Sequence, residues 1–311
     1  MSSAPSNSAS TLIRDLQCTA QLLSGAFASK GISLDAVGVD PYNEIADVPL
    51  QMHRPRYARM TDYFNSIGPS GARMMRQTAS LQINVDAGPN PHERWSLLNA
   101  IAPYVTAIFA NSPHYAGSAT GHKSYRAHLW RTLDKSRTGL PVDTANPEER
   151  YLAFALGAGA MMRTDIEDFD SFDAWVRGGN PTIEDWELHL STLFPEVRPR
   201  RYFELRSADA IAPEWVAAPI AFVAGLVYDD VAAQSANALL AEQGAPSLDI
   251  AGKEGLANAQ IRDTAIRLVD MAIAGCEVFP TQYIAPSDIE LAEEFFEKYT
   301  RQGRSPGDDW S

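Results

Sequence analysis

The sequence is poor in the residues from which metal centres and disulfide frameworks are built. Its 311 residues include two cysteines, Cys18 and Cys276, and six histidines. Two thiols so far apart build no disulfide framework and follow no metal spacing, a usage that fits a reducing cytoplasm. The histidines are scattered, with no His-Glu-x-x-His and no paired spacing, which excludes the common zinc arrangements. Neither Gly-x-Ser-x-Gly nor a dinucleotide fingerprint after a strand is present. No apolar run approaches the ~20 residues of a membrane span. Positive charge is also scarce: 26 Lys and Arg against 39 Asp and Glu leave a net charge of −13. That balance argues against nucleic acid or an anionic membrane as the main partner. Residues 1–10 lack basic residues and an apolar core, so they read as a flexible tail and not a signal peptide.

What remains is an ordinary globular composition, 45% hydrophobic and 21% charged. Residues 11–303 are expected to form a single domain, with a frayed tail over 304–311. Leu12, Leu16, Leu23 and Phe27 share a helix face, opened by Ser10 or Thr11 and closed by Gly31. Ile32–Val39 reads as a strand, and a short helix is expected around Ala58–Phe64. Thr78–Asp86 alternates as a strand with Thr78, Ser80, Gln82, Asn84 and Asp86 on one face. Such a polar face is either plain solvent or the floor of a site. Glu93–Ala110 follows as a helix, kinked at Pro103. Gly117–Ser124 looks like a phosphate loop but fails in detail. Three residues, not four, separate its glycines, and His122 stands where the lysine belongs.

Ser124 starts a helix on which Arg126 and Trp130 are i, i+4 partners. They form either a surface stack or a guanidinium and an indole N–H offered together to a carboxylate. Residues 131–150 read as loop, and Tyr151–Met162 as an apolar helix. The acidic run Asp165, Glu167, Asp168, Asp170, Asp173 lacks the glycine and closing glutamate of a calcium loop, so it is expected to be solvated. Thr182 with Asp185 reads as a capping box for a helix to Leu193. The C-terminal third is helical: one helix from Pro213 to Tyr228, one through Ile261–Ile273 stopped by Gly275, and a last one capped by Ser287 and Glu290 and ended by Gly303.

The most informative stretch is Phe194–Asp209. Arg201–Arg206 alternates, with Glu204 and Arg206 on one strand face and Phe203 and Leu205 on the other. A surface ion pair explains two of these residues. It does not explain Arg198, Arg200, Arg201 and Arg206 crowding one acid in an acidic chain, an arrangement suited to an anion such as phosphate. The fold class expected is α+β, an open and mostly antiparallel sheet with helices on one face.

Four co-linear stretches carry a resemblance over about residues 11–300: Met74–Asp86, Phe109–Pro113, Ser124–Trp130, and Leu193–Arg198 with Glu204–Arg206 and Asp209. Together they resemble the glutamate–cysteine ligases of the plant and bacterial type, in particular the bacterial enzymes that begin ergothioneine synthesis. The resemblance implies a glutamine-synthetase-like sheet, ATP, and Mg²⁺ ions. It implies Arg126 and Trp130 on the α-carboxylate of glutamate, Glu204 on Mg²⁺ and Arg206 on the transferring phosphate. Gln82 and Asn84 would face the metal and phosphate cluster, Arg198 and Arg201 the phosphates, and Met75 the thiol pocket. The family pattern opens with a Gly-x-Glu-x-Glu strand and a second acidic strand, and on that pattern this chain begins after both. Its first 75 residues hold one glutamate, Glu44. One carboxylate plus ATP holds Mg²⁺ weakly. Three readings follow: a ligase completed by a chain supplying those strands, a non-catalytic relative that binds glutamate or nucleotide, and a ligase for another amine.

Overall fold

The computed structural model describes residues 2–139, 146–163, 169–244 and 246–310. Helix α1 (Ala9–Ala28) is capped by Ser8, whose hydroxyl accepts from the Thr11 N–H. Then come α2 (Pro55–Ile67), α3 (Ser70–Gln77), strand β1 (Ser80–Asp86) and α4 (Pro91–Ile108). A small hairpin of β2 (His114–Tyr115) and β3 (Ser118–Ala119) precedes α5 (Tyr125–Leu133), α6 (Lys135–Thr138), α7 (Pro147–Gly157), α8 (Phe172–Gly178) and α9 (Ile183–Leu190). Strands β4 (Val197–Pro199) and β5 (Tyr202–Asp209) follow, then α10 (Ala217–Tyr228), α11 (Asp230–Gln243), α12 (Leu248–Glu254), α13 (Ala259–Glu277) and α14 (Pro286–Lys298).

The main sheet has the order β1-β5-β4, antiparallel throughout. Leu81, Ile83, Val85, Val197, Phe203 and Leu205 turn to one side and join the main core. Helix α4 packs on β4 and β5 there, and α10 on β1. From Trp95 onward α4 is apolar on nearly every side, and so is α10, as enclosed helical stretches must be. Helices α13 and α14 close over α10, and the α10–α13 crossing is set by two glycines. A Cβ at Gly225 would lie 1.9 Å from the Ala272 carbonyl oxygen, and one at Gly275 would lie 2.4 Å from the Gly225 oxygen. Gly275 therefore sits inside α13 as a contact point and does not end it. The architecture is the mixed, open antiparallel α+β arrangement that alternation predicts.

Several expectations are overturned. Ile32–Val39 is not a strand: only Val39 bridges to Thr78, while Ile32 and Leu34 lie exposed. An alternating run with no neighbour to complete its ladder gains nothing from extension. Residues 131–150 are not a loop where described. Asp134 caps α6, and Arg137 is fully buried by bonds to Asp134, the carbonyl and hydroxyl of Thr192, and the Gly159 carbonyl. Arg137 and Thr138 there serve an interior network instead of solvent. The apolar helix starts earlier and ends earlier than expected, at Pro147 and Gly157. Ser287 does not cap α14, which starts at Pro286 without a side-chain cap. Residues 304–310 are not frayed: Ser305 and Asp308 form a capping box for a 3-10 turn over Pro306–Asp309. The Thr182–Asp185 box does form. Asp165, Glu167 and Asp168 lie outside the described residues, as do residues 140–145.

No single helix among the described residues is long and apolar enough to cross a membrane. Pro213–Tyr228 and Asp230–Gln243 pass that test only together, across a bend of 94°. Both cysteines are free, Cys18 exposed and Cys276 buried, its thiol pushed up to about 12 by burial.

Candidate active site

The register aligns Asn84, Glu204 and Arg198 across the polar face of the sheet. A bulge in β5 opposite Gln82 keeps Arg206 and Ser207 both off the core side, before Ala208 returns to it. Glu204 is 5% and Arg206 6% exposed, so this is no surface ion pair. Arg198 Nη2 at 2.7 Å and Arg206 Nη1 at 2.6 Å both donate to Glu204 Oε1. Two guanidinium groups against one carboxylate leave an excess positive charge in a desolvated setting. Burial, and then the neighbouring Arg198, push Arg206 down to about 10. Burial lowers Arg198 as well, against the pull of Glu204. Arg206 at about 10 still carries its proton near neutral pH. The Nε atoms of Arg198 and Arg206 are buried without a hydrogen-bond partner. Buried donors of this kind carry a desolvation cost that an incoming anion relieves.

Behind the row stands an aromatic wall. The Arg206 guanidinium lies 5.2 Å from the Trp130 ring and 5.9 Å from the Phe194 ring. Arg126 approaches Trp130 at 5.6 Å, so the indole has two guanidinium neighbours. Ser124 caps α5 by accepting from the Ala127 N–H, and Arg126 and Trp130 on that helix are both buried against β5. The indole N–H donates to the Phe194 carbonyl at 2.8 Å. Arg126 donates to the Arg206 carbonyl at 2.5 Å, to the Ser207 carbonyl at 3.4 Å and to Asp209 Oδ1 at 3.3 Å. Met75, partly buried, packs with Met74 into the small core that holds Trp130 and Phe194.

The fold thus brings Glu204, Arg206, Arg198, Arg126, Trp130 and Met75 into one neighbourhood. Gln82 and Asn84 project from the same sheet face but are exposed. Arg201 stands exposed in the turn between β4 and β5. Two further contributors, Tyr151 and Asp209, have no site role in the sequence reading, although Asp209 closes the stretches of the resemblance. Tyr151 on α7 is pushed up to about 12 by burial, although Arg198, Arg200 and Arg206 pull it down, so its phenol lies against the cluster. Nothing in its apolar helical surroundings marks it. Asp209 forms the other anchor, accepting from Asn111, Ser112, Ser124 and Arg126. The Arg206-Ser207 polar doublet, which breaks the alternation, is the signal that could have revealed the bulge.

The donor set suits an oxyanion and not a divalent cation. No group of three or more His, Cys, Asp or Glu side chains among the described residues could hold a metal ion. Glu204, the carboxylate in the arginine row, is already shared by two arginines.

A mixed α+β molecule with a buried, cation-rich row on the open face of an antiparallel sheet is built to handle anionic groups. Comparison with known proteins makes this specific: the glutamate–cysteine ligase family 2 model matches residues 1–309, and the chain belongs to that family. The glutamate–cysteine ligase EgtA of Mycolicibacterium smegmatis is 34% identical over 315 residues, covering 95% of this chain and 71% of that protein. The namesake from Mycobacterium tuberculosis is 32% identical over 311 residues, covering 93% and 69%. The chloroplastic glutamate–cysteine ligase of Medicago truncatula is 36% identical over 221 residues, covering 66% of this chain and 43% of that protein.

Proposed function

We propose that the chain joins the γ-carboxylate of glutamate to the amine of cysteine, with ATP as the activating substrate. The observation that carries this reading is Arg206: a buried guanidinium with an unpartnered Nε, stacked on Trp130, in a chain of this family. A γ-carboxylate oxygen attacks the γ-phosphorus of ATP, ADP leaves, and γ-glutamyl phosphate forms. The cysteine amine then attacks the acyl carbon, loses a proton, and the tetrahedral oxyanion collapses with expulsion of phosphate. Negative charge grows first on phosphoryl oxygens and then on the oxyanion, so fixed guanidinium groups are what the reaction needs. Arg206 and Arg198 take the phosphoryl oxygens, with Arg201, Gln82 and Asn84 at the outer edge. Arg126 and Trp130 take the α-carboxylate of glutamate. For the indole to do so, its N–H must exchange the Phe194 carbonyl for the ligand, which couples glutamate binding to the 192–196 segment. Met75 lines the acceptor side.

On this reading the sheet is the glutamine-synthetase-like one and the setting cytoplasmic, in keeping with two free thiols. Magnesium belongs to the family reading, but the described residues alone do not fit it. Its further carboxylate ligands come from outside them, from another segment or a partner chain. That misfit supports a second reading, a relative that binds glutamate or nucleotide without turnover of its own.

The test is ADP release with Mg²⁺, glutamate and cysteine. Turnover supports the ligase, and turnover only with an added chain bearing acidic strands supports completion by a partner. Glutamate binding without turnover in either case supports the second reading. Arg206→Ala should lose about 10²- to 10³-fold in rate with an unchanged circular dichroism spectrum. Near-normal turnover would remove Arg206 from the mechanism.

A further inference from the structure

Asp209 is 1% exposed and has no part in the reaction as described above. Its carboxylate is saturated. Oδ2 accepts from the Asn111 N–H at 2.8 Å and the Ser112 hydroxyl at 2.7 Å. Oδ1 accepts from the Ser124 hydroxyl at 3.0 Å and from Arg126 Nη1 at 3.3 Å. Four donors match the four lone-pair sites that a carboxylate offers. One flank is sealed by Gly38, where an added Cβ would stand 2.5 Å from the Asp209 Cγ. The backbone of Gly38 is itself pinned, its N–H donating to the Asn111 carbonyl and its carbonyl accepting from Ala79.

We propose that Asp209 is a positioning residue: it holds Arg126 in the orientation that binds glutamate. Among the described residues Arg126 has one acidic contact, Asp209, and its other acceptors are the Arg206 and Ser207 carbonyls of β5. A guanidinium has five donors in a fixed plane, so a charged partner on one edge, together with the Arg206 carbonyl, sets where the remaining edge points. Asp209 supplies that anchor from the end of β5, beyond the bulge. The same guanidinium ties down the Arg206 carbonyl, so the anchor also keeps the phosphate-side arginine in register. A buried carboxylate used only as glue needs no guanidinium. Here the guanidinium also lies 5.6 Å from the Trp130 ring, beside Arg206.

This proposal rests on the assignment of Arg126 to glutamate, so wild-type turnover and glutamate KM come first. If wild type shows neither turnover nor glutamate binding, it is that assignment that fails. Asp209→Asn keeps the size of the side chain but replaces the charge and offers a wrongly placed donor. It should raise glutamate KM at least about tenfold, as a misplaced binding group does, with a smaller change in KM for ATP. In an Arg126→Gln background Asp209→Asn should add nothing further, because residues acting through one another are not additive. Gly38→Ala, which pushes on the same carboxylate from the opposite side, should show the same glutamate-selective rise and keeps the test open if Asp209→Asn does not fold. Equal effects on both substrates, additivity with Arg126→Gln, or a lower melting temperature with unchanged KM would each overturn the proposal.

Discussion

Arg206 makes the clearest case for what a single residue does here. Burial, and then Arg198, push its guanidinium down to about 10, against the pull of Glu204. The guanidinium shape matters as much as the charge. It lies over an aromatic ring while one edge meets Glu204 and its Nε stays free. A lysine ammonium is a compact point charge that cannot meet those three demands together. Arg206→Lys should therefore behave as a severe variant. Steady-state turnover is expected to drop by about 10²-fold, and a rate within a few-fold of wild type would show that charge alone suffices.

At the scale of elements, the α7–α9 junction contains a titratable group with a definite consequence for stability. His189 is buried among aromatic rings, and Nε2 pairs with the Ala155 carbonyl at 2.8 Å. Burial, aided by Arg137, holds the imidazole down to about 4 from an ordinary 6.5, against the pull of the Ala155 carbonyl. The unfolded chain takes up this proton more readily than the folded one. The contribution is thus complete above about pH 6.5 and is lost as pH falls towards 4, a difference of roughly 3 kcal/mol. Urea unfolding at pH 7 and pH 4.5 should reveal the loss, and His189→Gln should flatten it; equal acid sensitivity in that variant would point to other groups. The same region marks where a sequence reading reaches its limit. Strands β1 and β5 are legible because alternation of Gln82, Asn84 and Glu204 with apolar neighbours is written in the chain itself. Ile32–Val39 carries a similar pattern without a partner strand, and pairing is not a local property. Lys135–Thr138 reads as loop because the burial of Arg137 depends on Thr192 and Gly159, far away in the chain. For the site, the residues of β5 and α5 are legible as types, whereas the closeness of Tyr151 to the arginines arises only when α7 is folded over them.

For the whole molecule, the 305–310 segment links the distal helices to the site. The Gly307 N–H donates to the Ala110 carbonyl, Lys123 pairs with Asp308, and Trp310 Nε1 donates to Asn111 Oδ1 at 3.1 Å. All three contacts fall on the two stretches flanking β2 and β3, from which Asn111, Ser112 and Ser124 supply donors to Asp209. Gly307 fits there because it has no side chain: a Cβ would lie 3.2 Å from the Ala110 oxygen. The segment therefore backs the loop that backs the carboxylate. Two variants separate its stabilising effect from its effect on the site. Trp310→Phe removes one hydrogen bond, worth about 1 kcal/mol, and should lower the melting temperature by roughly 2 °C with KM values unchanged. Deleting residues 305–311 removes all three contacts, so the melting temperature should fall further and glutamate KM should rise more than KM for ATP. A deletion variant with a lower melting temperature but an unaltered KM for glutamate would confine the segment to stability and break the link from Trp310 through Asn111 to Arg126.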